Sequence, residues 1–229
     1  MIRIKVICEG PTEQEFVGEV LRPHYVGQMH WDPMLAGKAS ACPQGGDVRW
    51  GRVWPDLVRA IKQDPTAVIT TLFDFYGLGS DFPGRQTAYG RFPAVKAKQV
   101  ERGILEFIQE HMGGHWNPHH FVPYIQMHEF EGILFSDPAG FAASLYSPEL
   151  EPAMSLILAA AGGDPEAIND GPTTAPSKRI VGQKPDYNKV LHGNIAAMAV
   201  GLETIRSSCR HFNEWLSTIE LLAQEDRGA

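Results

Sequence analysis

The chain has 229 residues, 43% of them hydrophobic and 21% charged, with 20 basic against 27 acidic side chains for a net charge of −7. Such a composition fits one good globular core or two small ones and excludes disordered, collagenous and disulfide-stapled chains. The negative balance excludes a protein that coats nucleic acid by bulk charge, while leaving room for a local basic groove.

Residues 2 to 8 alternate apolar and basic side chains and then meet Glu9-Gly10-Pro11-Thr12, which reads as strand, turn, helix. Thr12 with Glu15 predicts a capping box, and Phe16, Val17, Val20 and Leu21 an apolar helical stripe that Pro23 stops. Residues 27 to 47, rich in Gly, Pro and polar side chains, predict an irregular or short-stranded insert. Helical spacing returns from Trp50 to Ile61, and the β-branched run 67 to 73 predicts a buried central strand ending at Asp74. A glycine-rich loop follows, at the strand end where open α/β sheets place ligands. Residues 94 to 110 predict a helix and 119 to 126 a strand. Segments 138 to 146, 150 to 161 and 202 to 223 carry helical periodicity, with a Pro/Gly-rich stretch from 170 to 187 between them.

The expected fold is therefore α/β, a mainly parallel sheet flanked by helices over residues 1–137, with a mostly helical extension over 138–229 packed on it. Cys8, Cys42 and Cys209 form no CxxC pair, so neither a disulfide framework nor a cysteine zinc site is expected, and a cytoplasmic location is. The N-terminus has no signal-peptide h-region, and no stretch approaches the roughly 18 apolar residues of a membrane helix.

Acids mark the strand ends. Glu9 follows the first strand, Asp74 the central one, and Glu129 and Glu131 the last, while Glu13 sits one helical turn beyond Glu9. Side chains just past the carboxyl ends of neighbouring parallel strands share one edge of the sheet. Several carboxylates in one place repel unless a cation sits among them, and hard oxygen donors select Mg²⁺, Mn²⁺ or Ca²⁺ over zinc. Taken singly, each acid also reads as a solvated loop residue or a helix cap. Glu129 and Glu131 point to one side only if HEFE is extended; in a helix they diverge.

The segments CEGPTEQEF, TTLFDFYGL, PYIQMHEFEGILFSDP and INDGPTTAPSKRI, which span most of the chain, resemble the bacterial family known as domain of unknown function 4276. That family is similar to the topoisomerase-primase (Toprim) domains, above all those of the overcoming-lysogenization-defect nucleases. The resemblance implies a Toprim-like core. It gives Glu9 the first-strand acid role, Glu13 the helix acid role, and Asp74 the first position of a DxD element whose second position here is Tyr76. The number of metals, one or two, stays open on that account, with Glu129 and Glu131 as compensating ligands. It also implies a separate partner ATPase and a role in bacterial defence against phage.

A phosphoryl-transfer site needs a cation, and Lys178 in APSKRI is the expected one. Arg85, Arg91, Lys96, Lys98 and Arg102, with Lys184 and Lys189, predict a groove for a phosphate backbone or, equally, a solvated helix face. His128 is expected beside the metal as a general acid/base or a hydrogen-bonding support for it. The histidine segment 111 to 120 is not expected to bind zinc, because Gly113, Gly114 and Pro118 prevent one helix from presenting it. Aromatics around the glycine-rich loop can stack on a base, although such rings more often belong to a core. The expected function is a Mg²⁺- or Mn²⁺-dependent nuclease with Glu9, Asp74, Lys178 and His128 as catalytic residues. The alternative is a non-catalytic binding or regulatory subunit of an ATPase complex, as Tyr76 permits.

Overall fold

The structure, a computed structural model, describes residues 1–37, 48–90, 92–113, 116–168, 171 and 173–228. Cys42, Arg91 and His115 lie outside the described residues. Five strands form one parallel sheet: β1 (Ile2–Cys8), β2 (Met29–Leu35), β3 (Val68–Asp74), β4 (Phe121–Val122) and β5 (Ile125–Gln126). The order is β2-β1-β3-β4, with β5 also paired to β3 further along. Every side chain of β3 is buried, as a strand covered on both faces requires.

The chain departs from expectation at five places. β2 is a full strand in register with β1 over seven pairs, from Ile2↔Met29 to Cys8↔Leu35, where an irregular or short-stranded insert is expected. Met29 and Trp31 are buried, and Pro33, which has no N–H to donate, is tolerated because β2 is an edge. The predicted strand 119 to 126 is split at Pro123-Tyr124. The Thr71 hydroxyl bridges the gap, accepting from the Tyr124 N–H at 2.9 Å and donating to its carbonyl at 2.8 Å.

The first helix begins at Pro11 rather than after Thr12. Its capping box is closed by Glu13, whose carboxylate accepts the Gly10 N–H at 2.9 Å. Nor does Pro23 end it: α1 (Pro11–Phe16) runs into a π turn (Val17–Leu21) and α2 (Arg22–His24). In that turn Arg22 N–H reaches the carbonyl of Val17, five residues back, which accommodates a proline next in line. The Pro/Gly-rich stretch contains a helix, and a second follows directly.

One face of the sheet is covered by α3 (Trp50–Gln63) and α4 (Pro93–Met112), whose Leu57, Val100 and Ile104 pack with Ile7, Ile69 and Phe73. The other is covered by α1 and by the helices after residue 137: α5 (Pro138–Ser144), α6 (Leu150–Ala160), α7 (Pro176–Gln183), α8 (Lys189–Val200), α9 (Leu202–Ser208) and α10 (Arg210–Gly228). Those helices share one apolar cluster with β1 and β2, including Ile4, Val6, Trp31, Phe212 and Trp215. The fold is thus α/β, a parallel sheet flanked by helices with a helical C-terminal region. No helix among the described residues is long and apolar enough to cross a membrane.

Candidate functional site

The carboxyl ends of β1 and β3 lie side by side, and their acids interlock there. Glu9 N–H donates to the Leu72 carbonyl at 3.1 Å, and the Glu9 carboxylate accepts the Asp74 N–H at 2.9 Å. The chain then turns so that Gly77 N–H meets the Asp74 carbonyl at 3.0 Å. A Cβ on Gly77 would overlap the Glu9 carboxylate, so glycine is what lets the loop close over that acid. Glu13 reaches the same place from α1.

Past β5, Glu129 is extended and caps a 3₁₀ helix (Phe130–Ser136) whose first turn holds Glu131. Glu129 accepts the Ser177 N–H at 2.9 Å, from the start of α7. Glu131 is only 1% exposed. Lys189, the first residue of α8, brings both together, its Nζ 3.2 Å from Glu131 and 3.8 Å from Glu129. The arrangement is neither the all-extended nor the all-helical one considered from sequence: the chain changes conformation between the two acids.

The electrostatics of the cluster follow from five carboxyls and one nearby ammonium. Burial, then the charge of Glu13, raises the Glu9 carboxyl to about 7. Burial likewise raises Glu131 to about 7, against the opposing charge of Lys189. Asp74 is pushed well above the usual carboxylate range by burial and then by Glu9, Glu13 and Glu131. Glu13 is raised by burial. Asp74 Oδ1, Glu131 Oε1 and the Tyr187 hydroxyl are buried without a hydrogen-bond partner. Burial and then the charges of Glu131 and Glu129 raise the Tyr187 hydroxyl.

Of the residues expected from sequence, Glu9, Glu13, Asp74, Glu129 and Glu131 therefore act on one another electrostatically. His128 is buried beside them, its ring 6.1 Å from that of Phe75 and 5.5 Å from that of Tyr76. Lys178 lies on the exposed side of α7, in a helix rather than a loop, and the ammonium at the acids is that of Lys189. Gly77, Tyr187 and the site role of Lys189 are not singled out by sequence, since each depends on which chain segment lies across the sheet edge.

Among the described residues no three His, Cys, Asp or Glu side chains stand as a ready-made metal cage. The reason is visible in the hydrogen bonds: Glu9, Glu13 and Glu129 each spend an oxygen on a backbone N–H. Asp74 and Glu131 each keep one buried oxygen unpartnered. Two carboxylate oxygens with further acids behind them fit Mg²⁺ or Mn²⁺, ions commonly bound through one or two carboxylates plus water and substrate phosphate.

The family model described as "Domain of unknown function (DUF4276)" matches residues 8–220. No curated protein and no solved structure matches the chain.

Proposed function

The chain belongs to the DUF4276 family, and from that premise, which carries no activity with it, we propose a divalent-metal-dependent phosphodiesterase acting on nucleic acid. One observation carries the reading: Asp74 and Glu131 are buried with an oxygen each left unpartnered, inside a cluster of five acids that a single lysine does not balance. Buried carboxylates without partners cost stability unless a cation is taken up.

In this reading Asp74 and Glu131 hold the ion. Glu9, Glu13 and Glu129, fixed by backbone amides, supply the surrounding negative charge. When bound, the ion supplies Lewis-acid polarisation of a phosphoryl oxygen and a water of lowered pKa. Lys189 offers its ammonium to the phosphate, the role the sequence gives to Lys178, and Glu131 orients it. His128 holds or moves a proton at the rim. The likeness to the Toprim domains of overcoming-lysogenization-defect nucleases, the partner ATPase and the defence role belong to the same proposal. The sheet-edge position of Glu9 and Asp74 supports it.

A second reading is favoured by Lys189 itself. Its ammonium already serves as a cation at Glu131, and Tyr76 stands where a second DxD acid would be, as in a binding subunit that has dispensed with the metal.

The test pairs Mn²⁺-dependent cleavage of labelled DNA and RNA with the Mn²⁺-induced rise in thermal midpoint. Wild type should show both. Asp74→Asn should lose both while keeping a metal-free midpoint equal to or above wild type, because it relieves the repulsion from Glu9, Glu13 and Glu131. Glu131→Gln should lose both with a lowered midpoint, because it also removes the buried partner of the Lys189 ammonium. A wild-type protein that neither cleaves nor responds to Mn²⁺ would establish the metal-free reading instead.

A further inference from the structure

The loop from β3 to α4 is anchored through most of its length, down to the buried Ala88, and exposes its large side chains where it enters α4. Phe75, Leu78 and Phe82 are buried, and Gly84 packs so closely on Gln99 of α4 that a Cβ there would overlap its carbonyl. Beyond this anchor Tyr89 is 74% and Phe92 72% exposed, and Val95 is exposed beside them. Gly90 folds back on Val95, a Cβ at Gly90 standing 3.7 Å from it, so the bare side chains gather at the start of α4.

Phe92 occupies the N-cap of α4 and makes no side-chain cap bond. Ser, Thr, Asp or Asn there would accept a backbone N–H, so the ring occupies a position at the expense of the helix. The charges show the same bias. From Phe82 to Val100 the sequence holds Arg85, Arg91, Lys96 and Lys98 and no acid, within a chain of net charge −7, although in the fold Lys98 pairs with Glu214 of α10 at 2.6 Å and Arg85 lies over the Phe75 ring. Lys96 stands in the first turn of α4, where the helix dipole disfavours a cation.

This end of α4 points toward the carboxyl edge of the sheet. Glu101 accepts the Ile125 N–H at 2.9 Å, and Ile125 pairs with Phe73, next to Asp74. Pro93 lies eight residues before Glu101, about 12 Å along the helix at 1.5 Å per residue. The two rings thus stand beyond the carboxyl edge of the sheet.

We propose that the substrate is single-stranded nucleic acid, its unpaired bases stacking on Tyr89 and Phe92 while its phosphates follow the basic segment toward the acids. This rests on the phosphodiesterase reading. A ring exposed on a loop is covered by a base only if that base is out of a duplex. An acid-free basic run on an otherwise acidic protein favours a polyanion over an apolar protein partner.

The measurement is fluorescence anisotropy of a labelled oligonucleotide, as DNA, as RNA and as duplex, with chelator present so that binding is read without cleavage. A single strand of either sugar should bind more tightly than the duplex. Tyr89→Ala and Phe92→Ala should each weaken that binding about 5-fold or more, and Phe92→Trp should retain it. Phe92→Ser supplies the missing cap, so it should weaken binding while raising the thermal midpoint, an outcome a merely structural ring would not give. Equal affinity for duplex, no binding to either single strand, or affinity unchanged by both alanine substitutions would overturn the proposal. Metal-dependent cleavage with ring-independent binding would overturn it alone. Ring-dependent binding without cleavage would uphold the single-strand site, with the strand a ligand rather than a substrate, and overturn the phosphodiesterase reading.

Discussion

Gly77 and Gly18 have surroundings that give them opposite fates on substitution. At Gly77 a Cβ would overlap the Glu9 carboxylate, which is tied to Asp74 N–H at 2.9 Å. Gly77→Ala must displace that carboxylate and leave a buried N–H without its acceptor. The expected loss is about 1–3 kcal/mol of stability, with a weakened response to Mn²⁺. At Gly18, in the π turn, nothing lies within 4 Å of an added Cβ. There Gly18→Ala restricts the unfolded chain at no steric cost and should raise stability by up to about 1 kcal/mol. Thermal midpoints of the two variants, with and without Mn²⁺, check both. A Gly77→Ala protein as stable and as metal-responsive as wild type would show that Glu9 is not held where the loop closes.

At the scale of elements, α10 depends on one residue far away in sequence. Glu166 accepts the N–H of His211 at 2.8 Å and of Phe212 at 3.0 Å, capping the first turn with both oxygens of a buried carboxylate. That turn positions His211 against Glu101 at 2.8 Å and carries the helix on to Trp215. Trp215 stacks on Tyr124 at 4.4 Å and donates to the Thr70 hydroxyl at 2.8 Å, closing α10 onto the sheet. Glu166→Gln replaces one acceptor by a donor that faces a donor. A loss of about 1–3 kcal/mol is expected, read as a lower urea midpoint at unchanged slope. An unchanged midpoint would mean that packing of the Trp215 face alone fixes the helix.

For the whole molecule, the acid cluster sets the pH dependence of the metal-free protein. Glu9 and Glu131 bind protons up to about pH 7 in the folded state, whereas the ordinary value in an unfolded chain is 4.5. Between those limits the folded state holds more protons, so stability falls as pH rises through the window and levels off above it. Asp64 acts in the opposite sense at lower pH. Its hydrogen bonds to Arg3 hold it below the usual carboxylate range, and that contribution is lost only as the solution becomes strongly acidic. Mn²⁺ should offset the loss on the alkaline side, raising the thermal midpoint at about pH 8 and much less at about pH 5, where protons already occupy the cluster. Midpoints across this range with EDTA and with Mn²⁺ provide the check. A metal-free midpoint that climbs from about pH 5 to about pH 7 would contradict a buried, repulsive cluster.

Periodicity and strand-end chemistry by themselves determined the α/β class, β1, β3, α3 and α4, and the acids Glu9, Asp74, Glu129 and Glu131 as one group, because these signals are local: alternation, helical spacing, an acid directly after a strand. β2 escaped because Pro33 and its polar neighbours read as an insert until β1 lies beside them to take their hydrogen bonds. α8 escaped because its Gly193 and Asn194 look like helix breakers. In the fold Gly193 sits 3.1 Å, from an added Cβ, to the Tyr187 hydroxyl, and Asn194 donates to the Thr12 carbonyl at 3.2 Å. The same packing decided which lysine meets the acids. Lys178 and Lys189 are equivalent as letters, and only the docking of α8 across the sheet edge brings the second ammonium to Glu131 while α7 turns the first to solvent. A charge pair between residues 58 positions apart is a property of tertiary structure, since no local spacing encodes it.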